Sequence, residues 1–239
     1  MDLLNFDVIR DYWHVFLRGL GLTIFLTVVT MVLASMLAIP LALARLSAKR
    51  LFRWPANIFV EFMRATPLIL QLIYIYYVLP TAGIKLNPLV AAITGLTLHY
   101  SAYLSEVFRG GIQSIAKGQT EAALSLGLSR WLAFRKVVLP QATRAILPTL
   151  ANYLISLFKD TSLASVVTVQ ELMFSGQIIS ARNFQYFTVY TVTALLYFAV
   201  CYPSGLAVRV LEEHIRKGQR SRDDKKMQQA AASPTPTAA

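Results

Sequence analysis

Apolar and polar positions along this chain do not alternate; they come in blocks. Residues 19–44, 65–84, 86–105, 145–158 and 183–208 contain no Asp, Glu, Lys or Arg, and the charges gather between them. A helix of about 20 apolar residues, rising 1.5 Å per residue, crosses the hydrocarbon layer of a bilayer. The longer runs reach that length outright, and the fourth does so if it continues to Gln170 through Lys159 and Asp160. The pattern predicts an all-α integral membrane protein with five transmembrane helices, at about 20–44, 55–79, 89–108, 145–169 and 184–208. Before them, residues 1–18 carry Val8, Tyr12, Trp13, Phe16 and Leu17 near helical spacing, which suits an amphipathic segment on the outer surface. The membrane domain is expected over 19–215, with an inner loop at 109–144 and an outer loop at 171–183. A disordered cytoplasmic tail is expected at 216–239, because its final AAASPTPTAA is too small and polar to bury a core.

Composition supports this: 56% of the residues are hydrophobic and 15% are charged, against about a quarter charged in a soluble domain. A net charge of +11 raises nucleic-acid binding, but the distribution argues against it. Of 23 Lys and Arg, four fall at 45–53, six at 109–144 and seven at 209–226, which are alternate inter-span segments. Cytoplasmic loops carry such an excess. The N-terminus is therefore expected outside and the C-terminus inside, with membrane lipid and no nucleic acid as partner. The single cysteine, Cys201, excludes a disulfide framework or a cysteine-based metal cluster. The first run is too long for a signal peptide and lacks a basic segment before it, so it is expected to stay.

The inner loop contains EAALSLGLSRWLAFRKVVLP, from Glu121 to Pro140. Thr120 is suited to cap a helix with Glu121 in its first turn, where a carboxylate complements the helix dipole. Ala122 and Ala123 let another surface approach the backbone, and Gly127 permits the left-handed turn that ends a helix. Ser129 is placed to cap a second short helix that Pro140 would stop. Two readings of this amphipathic segment stand side by side, a docking element for a soluble protein and an interfacial anchor.

Glu-Ala-Ala, three residues, Gly127, nine residues, Val137, one residue, Leu139 and Pro140 resembles the EAA loop of permease subunits of bacterial ATP-binding-cassette (ABC) importers. Val137 stands where that motif usually has Ile. GLGLTIFLT at 19–27, FMRATPLILQL at 62–72, AYLSEVFRGGIQSIAKGQTEAALSLG at 102–127, LPQATRAILPTLANYLISLFKDTSL at 139–163 and Glu171-Leu172 resemble the polar amino acid permeases related to those for histidine and glutamine. Ala65 departs from the Gly usual in the Arg-Gly-Thr-Pro of that group. The resemblance implies a type I ABC importer permease in the bacterial cytoplasmic (inner) membrane. Its expected partners are cytoplasmic ABC ATPase subunits, a second permease subunit, identical or similar, and a periplasmic or extracellular solute-binding protein. Glu121, Ala122, Ala123, Gly127, Leu139 and Pro140 would form the ATPase-coupling element. ATP and Mg would belong to the partner, since this chain has no G-x-x-x-x-G-K-[ST].

Ionisable groups at membrane depth are functional candidates. Arg64 falls inside the second predicted span, near Thr66, Pro67 and Gln71. Pro67 is expected to break the helix there, leaving a half-helix whose N-terminal amides suit a substrate carboxylate. Alternatively, Arg64 reaches the interface or pairs with Glu61. In the fourth span, Asp160 could take a substrate ammonium with Thr161, Ser162 and Tyr153 nearby, or could pair with Arg64. The resemblance places Lys159–Ser162 near the translocation path. Tyr100, Ser101 and Tyr103 are polar-tipped and suit either the lining of a pore or interior packing, His99 reads as an interior histidine, and Glu106 with Arg109 as a local ion pair. A gradient-driven carrier without an ATPase is the alternative function; an odd span number and the lack of an internal repeat count against it. A membrane enzyme finds no support, as neither H-E-x-x-H nor G-x-S-x-G occurs.

Overall fold

The computed structural model describes residues 4–232, without the side chains of 214 and 216–232. Helix α1 (Phe6–Leu46) begins where the Asn5 side chain accepts the amide hydrogens of Asp7 and Val8, and the Asn5 amide donates to Thr188 Oγ1 at 3.1 Å. Its 41 residues are continuous, so the segment expected to lie apart on the outer surface runs directly into the first span. No proline or glycine between Asp7 and Gly19 supplies a stop. The buried face of α1 is a stripe of small residues: Gly19, Thr23, Thr27, Thr30, Ala34, Ala38 and Ala42. Such a stripe lets a second helix approach closely, and α4 (Pro88–Gln113) packs along it.

Helix α4 buries His99, Tyr100, Ser101 and Ser105 among its apolar residues. That polarity is tolerated because neighbouring helices, not lipid, surround it. Among the described residues, α1 and the Tyr186–Glu213 part of α9 (Tyr186–Ala232) are the two helices long and apolar enough to cross a membrane alone. Two bent pairs would raise the number to four.

The first bent pair contains the break expected at Pro67. Helix α2 (Arg50–Ala65) meets the segment Leu68–Ala82 at 105°. That segment consists of α3 (Leu68–Ile73), a π turn and a 3₁₀ turn. Pro67 offers no amide hydrogen and holds Thr66 extended, at φ −111° and ψ 140°, which ends α2.

After α4 comes the short α5 (Lys117–Ser125), then α6 (Arg130–Ala133), a π turn over Phe134–Val138, α7 (Leu139–Asp160) and a 3₁₀ turn over Thr161–Val167. The expected outer loop at 171–183 is instead helix α8 (Leu172–Asn183), bent 50° from that rod and packed on α1 and α9. Its buried face mixes the large Leu172 and Ile179 with Ser175, Gly176 and Ser180, and at 12 residues it is too short to read as a span. Leu26, Leu72, Leu96, Leu104 and Leu157 form the main core, and Phe16, Leu172, Ile179 and Val189 a second one around α8. Helix α9 continues to Ala232, across part of the segment expected to be disordered. Lys, Gln and Ala there are good helix formers; residues 233–239 lie outside the described residues.

Candidate functional site: the inner loop and the polar cluster

Helix α5 starts one turn earlier than expected, after Ala116, so Thr120 is a helical residue rather than a cap and Glu121 lies in the second turn. The helix ends as its sequence predicts. Gly127 adopts φ +80°, its amide donates to Leu124 O at 2.9 Å, and the Leu128 amide donates to Ala123 O at 3.2 Å. That paired closure satisfies the terminal carbonyls and turns the chain sharply. Ser129 then caps α6, its hydroxyl oxygen accepting the Leu132 amide hydrogen at 3.3 Å.

Pro140 does not stop this second helix. The Leu139 amide donates to Phe134 O, five residues back, and α7 continues directly. The widened π turn moves the preceding carbonyls away from the Pro140 ring, which would otherwise clash in an α-helix. Of the predicted coupling residues, Ala123 is buried against the rod with Ala133 and Val138, whereas Glu121, Ala122, Gly127, Leu139 and Pro140 are exposed. Gln141 fixes the elbow by donating to Val137 O at 2.8 Å and Gln119 Oε1 at 3.3 Å. Beside this face Leu126 is 82% exposed and Trp131 66%.

The predicted substrate-path residues divide into two groups. Gln71 Nε2 reaches back across the bend to Met63 O at 2.9 Å, Thr66 O at 3.2 Å and Thr66 Oγ1 at 2.7 Å. It supplies partners for the carbonyls that Pro67 leaves unbonded. Its Oε1 lies 3.1 Å from His99 Nδ1, so Gln71 and Thr66 hold the break closed. Thr161 is buried and donates to Phe158 O at 2.7 Å. Ser162 is half-buried on the same 3₁₀ turn.

Arg64, Tyr153 and Asp160 are linked by aromatic rings. The Arg64 guanidinium lies 5.7 Å from the Tyr103 ring centre, Tyr103 is 6.2 Å from Tyr153, and Tyr153 is 6.4 Å from Tyr100. The Tyr100 hydroxyl donates to Asp160 Oδ2 at 2.6 Å. Asp160 is thus held by a tyrosine rather than by Arg64, while Lys159, one residue back, is exposed. Arg64 sits in the last turn of α2, 3.2 Å from Glu106 and 3.8 Å from Glu61. Glu106 also accepts from Arg45 at 2.6 Å and Arg109 at 2.6 Å, so one carboxylate ties the ends of α1, α2 and α4.

Reading by sequence missed Arg45, Tyr100, Tyr103 and Glu171 as members of these networks. Glu171 is fully buried, accepts the Met173 and Phe174 amides at 2.9 and 2.8 Å, and accepts the Tyr197 hydroxyl at 3.0 Å. An acidic residue immediately before the apolar run Leu172-Met173-Phe174 was its only local signal.

This arrangement, an exposed elbow joined to a polar bundle interior, has relatives. The family model for binding-protein-dependent transport system inner membrane components matches residues 31–217. The chain belongs to that family. It is 41% identical over 197 residues to the probable amino-acid ABC transporter permease protein YckA of Bacillus subtilis (strain 168), covering 82% of this permease and 87% of that protein. The L-cystine transport system permease protein TcyB of the same organism is 38% identical over 207 residues, 86% of this permease and 88% of TcyB. The crystal structure of an amino acid ABC transporter with histidines superposes with a TM-score of 0.84 at 31% identity, covering 88% of this permease and 99% of that chain. The permease is thus the membrane subunit of an ATP-driven importer, and ATP hydrolysis belongs to a separate subunit.

Proposed function

We propose that the permease imports a polar amino acid or related zwitterionic solute across the bacterial cytoplasmic membrane. The exposed α5–α6 elbow docks on cytoplasmic ABC ATPase subunits, which carry the ATP and Mg. The feature that carries this reading is a rigid projection: Ala123, Ala133 and Val138 are buried beneath it, while Glu121, Ala122, Leu126 and Trp131 face outward. An anchor lying on lipid would not need its backbone locked by a left-handed glycine and a side-chain strut from Gln141.

Five crossings are formed by α1, the Leu68–Ala82 segment beyond the bend, α4, the α6–α7 rod and α9, with the N-terminus outside. A second permease subunit completes the pathway, and a periplasmic or extracellular solute-binding protein delivers the solute. Tyr153 and Asp160, with Tyr100, offer a carboxylate and hydroxyls to the ammonium end of the cargo; Arg64 offers a cation to its carboxylate end. Amino-acid cargo is favoured by the names of YckA and TcyB.

Proteoliposomes holding the permease with its ATPase and binding protein test this reading. Glu121→Arg combined with Leu126→Glu is expected to abolish uptake and cargo-stimulated ATP hydrolysis while leaving the amount of permease in the membrane unchanged. Uptake that survives this variant, or that runs on an ion gradient with ATP depleted, overturns it in favour of the gradient-driven carrier.

A further inference from the structure

Helix α2 presents a surface that neither the bundle nor the elbow uses. Only Ala56 and Val60 on it are buried. Leu51, Phe52, Trp54, Ile58 and Phe62 are exposed. Residues Phe52, Trp54, Ile58 and Phe62 spread over one broad flank of the helix, while Arg50, Arg53, Asn57, Glu61 and Arg64 cluster on another. At its start Lys49, Arg50 and Arg53 are exposed, and none of the three forms an ion pair among the described residues. The 105° bend turns this helix across the segment that follows it. At the bend an apolar groove of ≈ 240 Å³ continues the exposed flank, lined by Phe62, Met63, Leu70 and Tyr74.

We propose that α2 is an interfacial helix that binds anionic phospholipid. Its apolar flank and the groove take acyl chains, and Lys49, Arg50 and Arg53 take the phosphate headgroups. Three observations select this partner. Unpaired cations beside an exposed tryptophan match the chemistry of a charged headgroup layer. The width of the apolar flank and its separation from the polar one are those of a helix lying in the plane of a leaflet. The four Lys and Arg at 45–53 make this end of α2 one of the chain's basic inter-span segments, the kind that faces a leaflet rich in anionic lipid. The inference requires a bilayer but is independent of what the permease transports.

Each basic side chain near an anionic surface strengthens attachment roughly fivefold. The full-length permease in detergent, titrated with phosphatidylglycerol or phosphatidylcholine and weighed by native mass spectrometry, is expected to retain phosphatidylglycerol preferentially. The K49Q/R50Q/R53Q variant is expected to lose that preference by on the order of tenfold or more, and R18Q is expected to keep it. In vesicles, a chain carrying Trp13→Phe and Trp131→Phe leaves Trp54 as reporter, and brominated phosphatidylglycerol is expected to quench it. That measurement stands even if the triple variant does not fold. Equal retention of both lipids overturns the proposal. So does an unquenched Trp54, or a Phe52→Cys variant that crosslinks two permeases through that position. None of these readouts depends on uptake, so the import reading and this one fail separately.

Discussion

Gly19 and Gly21 lie two residues apart, on nearly opposite faces of α1, and differ in the room around them. A Cβ on Gly19 would sit 2.6 Å from Ser175 Oγ and 2.9 Å from Leu172 Cα, whereas one on Gly21 would meet nothing within 4 Å. Gly19→Val must therefore push α8 off α1, and is expected to destabilise the purified permease by about 1–3 kcal/mol in thermal unfolding. Gly21→Ala is expected to be neutral or slightly stabilising in the same measurement. Glu106 offers a second contrast. The Arg45 side chain beneath it is only 8% exposed, while that of Arg64 is 39% exposed. Glu106→Gln removes the countercharge from a nearly buried guanidinium and is expected to cost about 3 kcal/mol. Arg64→Gln is expected to cost well under half of that, because its ion pair is largely solvated. Residue roles set by nearby chain were legible: Gly127 and Ser129 do what their types suggest, because a cap or a left-handed turn needs partners only a few residues away. Arg45, Tyr100 and Tyr103 were not, since Glu106, Asp160 and Tyr153 reach them from distant parts of the chain.

Among the elements, the break at Pro67 was legible because proline chemistry is local, but its size was not. The 105° angle depends on α3 packing against α4 and on Gln71 bridging the gap. Gln71→Leu keeps the volume but leaves Met63 O and Thr66 O without donors. It is expected to lower stability by about 1–3 kcal/mol and to speed hydrogen exchange at Leu70 and Gln71. Helix α8 escaped the reading for the opposite reason. Its 12 residues are too few for a span, and Ser175, Gly176, Gln177 and Ser180 interrupt its apolar positions, so it passes for a loop until α1 and α9 are in place. Pro140 misled in a third way, because the π turn that accommodates it leaves no trace in residue type. At the elbow, Gly127→Val forces a branched side chain into φ +80° and is expected to reduce cargo-stimulated ATP hydrolysis several-fold with little change in membrane abundance.

For the whole molecule, the blocks of charge-free sequence coincide with α1, the Leu68–Ala82 segment, α7 and α9, since solvation by lipid acts on every residue of a span at once. They located α4 as well, although it is more polar than α1 or α9. Its polar side chains are sheltered by neighbours, a fact of assembly that no single-segment hydropathy contains. Uptake in proteoliposomes is expected to require the ATPase and to stop with ATP depletion even under a full ion gradient, measured with labelled amino acid.

One length of backbone joins the two ends of this picture. From Trp131, bared at the elbow, to Asp160, held by Tyr100, the chain runs as unbroken helical turns, about 45 Å of them. A beam of that kind has no preferred direction of travel. Whatever tilt nucleotide binding imposes below, occupancy around Asp160 must resist or assist by an equal free energy. On the proposed docking and cargo site, bound cargo is therefore expected to retune how tightly ATP is gripped at the far end of the beam.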